Sequence, residues 1–212
     1  MKYIALIAGL FLFSCQTQGN SSNTKKEPVS EQINYQRLDT ATFAGGCFWC
    51  VEASFEQIQG VAEAVSGYAG GDKSTADYRL VSSGRTNHAE AVQVYYDPSI
   101  IDYETLLEIF FTAHDPTQLN RQGPDVGAQY RSEIFYHNEE QRRLAEAKME
   151  ELAPEFSDPI VTKLSKLEGF YEAEEYHQDY EVKHPNNSYI VNVSRPKIEK
   201  VAKKFKDRLK SN

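Results

Sequence analysis

The chain has 212 residues, 40% of them hydrophobic and 12% aromatic, enough for one well-buried core and little more than a small appendage. Its formal net charge is −8 with the acidic excess spread along the chain, which argues against a nucleic-acid binder, a class that needs a basic face to neutralise phosphates. Three cysteines, Cys15, Cys47 and Cys50, are too few for a disulfide framework, so each needs its own account.

At the N-terminus, Lys2 precedes an apolar run over residues 3–13 that is too short for a permanent bilayer-spanning helix. A basic start and a short apolar core are the build of a secretory signal. The run ends in Leu12-Phe13-Ser14-Cys15, which resembles a bacterial lipobox, with Phe13 departing from the small or aliphatic residue usual there. The resemblance implies loss of residues 1–14, acylation of Cys15, and a bacterial cell-envelope protein held to the membrane by lipid with its folded part outside the cytoplasm. An ordinary signal with a free Cys15 is the alternative. More than one acyl chain is what stable anchoring needs. Residues 15–38 are mostly polar and cannot bury enough apolar surface to order themselves. They read as a flexible tether with a reach of roughly 25–30 Å, which leaves residues 39–212 as the domain.

Residues 40–44 predict a strand feeding Gly45-Gly46 and then a helix over 48–59, closed by Gly60. A second strand covers 61–68 and runs into the glycine-punctuated loop 67–71; a third covers 90–96 and is stopped by Asp97-Pro98. A helix over 103–114 carries Leu106, Leu107, Phe110 and Phe111 on one face, and a fourth strand covers 130–136. Asn138 caps a helix reaching about residue 153, with Gln141 completing a capping-box-like pair. Residues 160–167 predict another strand, and Ile198, Val201, Ala202, Phe205 and Leu209 lie at the spacing of a final helix. The fold class is α+β: a single domain with a mixed or antiparallel sheet and packed helices, a two-layer sandwich.

Gly45-Gly46-Cys47-Phe48-Trp49-Cys50 falls where a strand turns into a helix. Unpaired N–H groups and the helix dipole favour an anion there, so Cys47 is expected to have a depressed pKa and a reactive thiolate. Gly46 permits the sharp turn, and Cys50 lies one helical turn on. Zinc wants four ligands, and there is no second cysteine pair and no ligand-like spacing among His88, His114, His137, His177 and His184. A structural disulfide closing so short a loop is strained and readily reduced. A redox-active dithiol is the reading that the pair favours. A thioredoxin-like oxidoreductase is its rival within that class, but the aromatic spacer Phe48-Trp49 suits a substrate pocket better than a flat docking surface. Gly70-Gly71-Asp72-Lys73-Ser74 has the wrong glycine spacing for a phosphate loop.

Gly46-Cys47-Phe48-Trp49 with Val51-Glu52 resembles the signature of peptide methionine sulfoxide reductase A. The likeness continues through residues 65–71, His88-Ala89-Glu90-Ala91-Val92, Asp115-Pro116-Thr117, residues 127–132 and Tyr176-His177-Gln178-Asp179-Tyr180, in the family's order. Two departures stand out: Cys50 replaces the more usual glycine with no resolving cysteine near the C-terminus, and Asn87 replaces a common glycine.

The resemblance implies reduction of methionine S-sulfoxide, free or in oxidised proteins and peptides. Cys47 would attack sulfur, and Glu90 would protonate the departing oxygen. The resemblance places the Tyr78 and Tyr130 hydroxyls on that oxygen, Asp125 nearby, and Phe48 and Trp49 around the terminal methyl. The strand pattern supports Glu90 independently, because it shares a face with Val92, Val94 and Tyr96 and so sits among apolar side chains that favour its protonated form. The sulfenic acid left on Cys47 condenses with Cys50 in a Cys47–Cys50 disulfide. A thioredoxin-like dithiol donor reopens it, and no metal or organic cofactor is called for. A surface thiol–disulfide exchange or binding lipoprotein that kept the fold is the alternative.

Overall fold

Residues 41–45 are buried without interruption, so the strand that holds them has both faces covered and must lie inside the sheet. The computed structural model describes residues 35–211; the signal, Cys15 and most of the tether lie outside the described residues. In chain order the elements are β1 (Asp39–Gly45), α1 (Phe48–Glu56), β2 (Val61–Ala69), α2 (Tyr78–Ser82), β3 (Ala89–Tyr96) and α3 (Tyr103–Ala113). There follow β4 (Arg121–Gln122), β5 (Asp125–Val126), β6 (Ser132–Tyr136), α4 (Glu139–Leu152), β7 (Lys163–Lys166), β8 (Phe170–Glu172), α5 (Tyr180–Lys183) and α6 (Arg195–Lys204).

Six strands form one sheet in the order β7-β6-β1-β3-β2-β8, and β4 pairs with β5 in a separate two-stranded hairpin. All pairs in the large sheet are antiparallel except β6–β7. That exception follows from α4, which returns the chain to the same end of the sheet, as parallel neighbours require. The class is α+β with a mixed sheet, as the sequence predicts.

On one face, Phe43 stacks on Phe55 and Phe110 at ring separations of 5.4 and 5.0 Å, joining β1 to α1 and α3. Full burial of each such ring contributes about 1.5–3 kcal/mol. The opposite face carries Ala44, Ala69, Ala89 and Ala91, small enough for Phe135, Leu167 and Phe170 to close over them. Among the described residues no helix is long and apolar enough to cross a membrane.

Several boundaries differ from expectation, each for a local reason. The first helix stops at Glu56, because Ile58 leaves it to bridge Leu209. Leu209 therefore does not extend the last helix, which ends at Lys204. Residues 128–130 form a 3₁₀ turn, so the fourth strand begins at Ser132. Asn138 caps α4 through the Gln141 N–H at 2.9 Å, but the Gln141 side chain accepts from the His137 N–H instead of closing the box on Asn138. Its amide nitrogen donates to the Thr40 carbonyl at 2.7 Å, tying α4 to β1. Tyr35, assigned to the tether, packs edge-on against Tyr95 at 5.2 Å.

Candidate active site

The site begins with backbone geometry at the end of β1. Gly46 has φ +95°, and a Cβ there would sit 2.6 Å from the Gln122 side chain, so only glycine lets the hairpin β4–β5 close on this turn. The turn makes Cys47 the N-cap residue of α1, with Cys47 and Cys50 both reduced and both buried.

Glu90 enters from the start of β3, with 2% of its surface exposed, on the face shared with Val92, Val94 and Tyr96. Its Oε2 accepts the Phe48 N–H at 3.2 Å. Burial pushes its pKa up to about 8, with that hydrogen bond opposing, so the carboxyl is mostly protonated at neutral pH.

Cys47, Phe48, Trp49, Tyr78, Glu90, Asp125 and Tyr130 line one cavity of about 160 Å³, together with Tyr189. The structure thus gathers every residue that the sequence assigns to substrate contact or first attack. Cys50 lies behind this wall, its Sγ 4.0 Å from the Tyr189 hydroxyl. Asp125, on β5, accepts the Tyr189 hydroxyl at 2.5 Å. Tyr78 sits at the start of α2, where the Asp77 side chain caps Leu80 and Glu174 accepts the Tyr78 N–H at 3.0 Å. Burial raises the phenols of Tyr78, to about 12, and of Tyr130, so both remain hydroxyl donors.

Trp49 is held by residues to which sequence reasoning gave no role. Its ring stacks on Tyr180 at 3.7 Å and 6° between planes, meets Tyr189 edge-on at 6.0 Å, and donates Nε1–H to His177 Nδ1 at 3.2 Å. His177 in turn packs against Phe48 and Tyr78 at 5.0 and 4.3 Å. The strap that carries His177 and Tyr180 is latched to α1 by Glu52, which accepts the Asp179 N–H at 2.5 Å and also the Ser66 hydroxyl. Gln178 donates to the Ser66 and Ala173 carbonyls, both at 3.0 Å. The motif at residues 176–180 was visible in the sequence, but its function as a clamp on Trp49 was not.

The thiol electrostatics correct one expectation. Burial raises the Cys47 pKa, its contact with Cys50 and the nearby Glu90 add to the rise, and the Trp49 N–H only partly opposes them. Desolvation therefore outweighs the helix N-terminus. Cys50 moves the other way, down to about 6: the Cys47 thiol donates to it, and Lys197 and Ser194 favour its anion against the opposing effect of burial. The directions of these shifts make Cys50 the more acidic thiol of the pair, with the Cys47 thiol as its donor. Among the described residues no group of three or more His, Cys, Asp or Glu side chains is placed to hold a metal ion.

The family model for peptide methionine sulfoxide reductase matches residues 39–209. The chain is 56% identical over 174 residues to the peptide methionine sulfoxide reductase MsrA of Natronomonas pharaonis, covering 81% of this chain and 98% of that protein. It is similar to the crystal structure of reduced Mxr1 from Saccharomyces cerevisiae, with a TM-score of 0.69, 36% identity, and 72% of this chain and 88% of that one covered. It is also similar to Mxr1 crystallised in complex with Trx2, with a TM-score of 0.51, 27% identity, and 71% and 91% covered. An acid, a thiol pair and an aromatic cavity of this shape fit the sequence match throughout the folded domain: the chain belongs to the peptide methionine sulfoxide reductase family and is a thiol-dependent oxidoreductase acting on methionine sulfoxide.

Proposed function

We propose that this enzyme reduces the S epimer of methionine sulfoxide, in proteins, peptides or the free amino acid, with Cys47 as nucleophile, Glu90 as acid and Cys50 as recycling partner. The observation that carries the reading is the convergence of Cys47 and a protonated Glu90 on one aromatic-walled cavity. Phe48 and Trp49 offer ring edges and faces to the methyl and sulfur of the substrate. The Tyr78 and Tyr130 hydroxyls suit hydrogen bonds to its oxygen.

Proton movement follows from the thiol pair. Transfer of the Cys47 proton to Cys50 creates the attacking thiolate as substrate arrives. Cys47 bonds to sulfur and Glu90 protonates the oxygen. The hydroxyl then passes to the Cys47 sulfur as its bond to the substrate sulfur and the substrate S–O bond break. Methionine departs, and Cys47 is left as a sulfenic acid. Cys50 then closes the disulfide, and an external dithiol of thioredoxin type reopens it. The Mxr1 complex with Trx2 supports that choice of donor.

Cys15 holds the domain at the bacterial envelope membrane through lipid, a reading that rests on the lipobox-like residues 12–15. Incubating the full chain with dithiothreitol and separated sulfoxide epimers tests the activity: the S epimer is consumed and the R epimer persists. Survival of both epimers would refute it. Labelling of the wild type but not of Cys15→Ala with a radioactive fatty acid tests the anchor.

A further inference from the structure

A sulfur as buried as Cys50, at 1% exposure, is ordinarily pushed towards its neutral form. Facing α1 is a π-helical turn, Ile190–Ser194, in which the Arg195 N–H donates to the Ile190 carbonyl five residues back. Five-residue spacing aligns Tyr189 with Ser194, and three-residue spacing aligns Ser194 with Lys197 at the start of α6. Tyr189 commits its hydroxyl hydrogen to Asp125. Ser194 is fully buried, and its Oγ has no conventional partner; the Lys197 Nζ is buried and has none either. An ammonium and a hydroxyl withdrawn from water without an acceptor are both costly. The same face brings the Tyr189 hydroxyl to 4.0 Å from the Cys50 sulfur, and that sulfur as an anion is the acceptor that the ammonium and the Ser194 hydroxyl can share.

We propose that Lys197, assisted by Ser194, is a positioning residue that holds Cys50 as a thiolate for the recycling step. This rests on Cys50 being the recycling partner of Cys47.

The surroundings agree with that role. Lys197 also borders a second cavity of about 450 Å³ with His114, Asp115, Asp158 and Lys200, yet neither aspartate forms an ion pair with it. His114 in that wall is held neutral by burial, its pKa lowered to about 4. On the other side Cys50 faces the Cys47 thiol, the Tyr189 hydroxyl backed by Asp125, and the mostly protonated Glu90. Among the described residues, Lys197 is therefore the cation that favours the anion of this sulfur. In the step itself the Cys50 thiolate attacks the Cys47 sulfenic sulfur. An S–S bond forms, the S–O bond breaks, and the oxygen leaves as hydroxide that takes up the proton Cys50 had received from Cys47, giving water. The electron pair comes from Cys50, so no further oxidant enters.

Thiolate absorbance near 240 nm tests the proposal without needing access to the buried sulfur. It is titrated in full-length Cys47→Ser protein, whose hydroxyl preserves a donor to Cys50, with the Cys47→Ser/Cys50→Ser protein subtracted to remove Cys15 and the tyrosines. Adding Lys197→Met should move the Cys50 midpoint up by about one unit or more, a tenfold loss of thiolate on the acid side, whereas Lys197→Arg should keep it near the parent. In otherwise wild-type protein, Lys197→Met should slow Cys47–Cys50 disulfide formation after one turnover by about fivefold near the old midpoint and by about tenfold well below it. An unmoved midpoint in Lys197→Met, or equal shifts in Met and Arg variants, would overturn the assignment. A Lys197-dependent midpoint in an enzyme whose cycling ignores Cys50→Ser would instead sink the recycling role of Cys50.

Discussion

Glu90 Oε2 accepts the N–H of Phe48 at 3.2 Å, so the acid is bonded to the first residue of the helix that Cys47 caps. Nucleophile and acid are thus held in one frame, and a shift of either strand or helix carries both. Their proximity also sets opposite demands on charge: Glu90 must keep its proton while the neighbouring thiol pair gives one up.

Replacing Glu90 by Gln removes the proton donor while leaving an acceptor for Phe48. The single-turnover rate should fall by about 10²–10⁴-fold with KM little changed. A rate equal to wild type would exclude Glu90 as the acid. Stability should move the other way. A carboxyl whose folded pKa is raised from 4.5 to about 8 contributes stability that is fully present below 4.5 and lost as pH rises through 8. Denaturant midpoints should therefore favour Glu90→Gln increasingly as the pH rises across that window.

The wild-type pH profile of single turnover should be bell-shaped. Its acid limb reflects loss of the shared thiolate near 6, and its alkaline limb reflects ionisation of Glu90 near 8. Glu90→Gln should abolish the alkaline limb. A profile that still falls above pH 8 in that variant would assign the limb to another group.

Cys50→Ser should retain one stoichiometric turnover and lose cycling with thioredoxin, since serine cannot close the disulfide. Dithiothreitol should restore cycling by reducing the Cys47 sulfenic acid directly. Cys47→Ser should be inactive under both conditions. Quantifying methionine per enzyme under each reductant separates these cases, and undiminished thioredoxin cycling in Cys50→Ser would remove that residue from the pathway.

Glu52→Ala cuts the latch between α1 and the strap bearing His177 and Tyr180, leaving the Asp179 N–H without its acceptor. The expected loss is about 1–3 kcal/mol of stability, with KM raised severalfold and the single-turnover rate at saturation nearly intact. Denaturant titration and steady-state kinetics read the two effects. A stability loss with KM unchanged would mean that the strap does not position Trp49.

Gly46→Ala should be damaging beyond its size, because φ +95° is strained for alanine and the added carbon meets Gln122 at 2.6 Å. A variant with wild-type melting temperature and wild-type turnover would show that this turn tolerates a side chain.

The strand-to-helix turn at Gly46-Cys47, the identity of the thiol pair and the burial of Glu90 can all be read from the residues alone. Each is local: φ-permissive glycine, three-residue cysteine spacing and period-two alternation act within a few residues of themselves. Which thiol is the more acidic depends on contacts made only in the folded protein. A helix N-terminus alone would favour the anion on Cys47, but full burial disfavours it there, while Ser194 and Lys197, from far along the chain, favour it on Cys50. Tertiary structure also decided that His177 and Tyr180 grip Trp49, and that Glu52 holds their strap. No spacing rule reaches that far along a chain. Desolvation and long-range contact exist only once the core has closed around them.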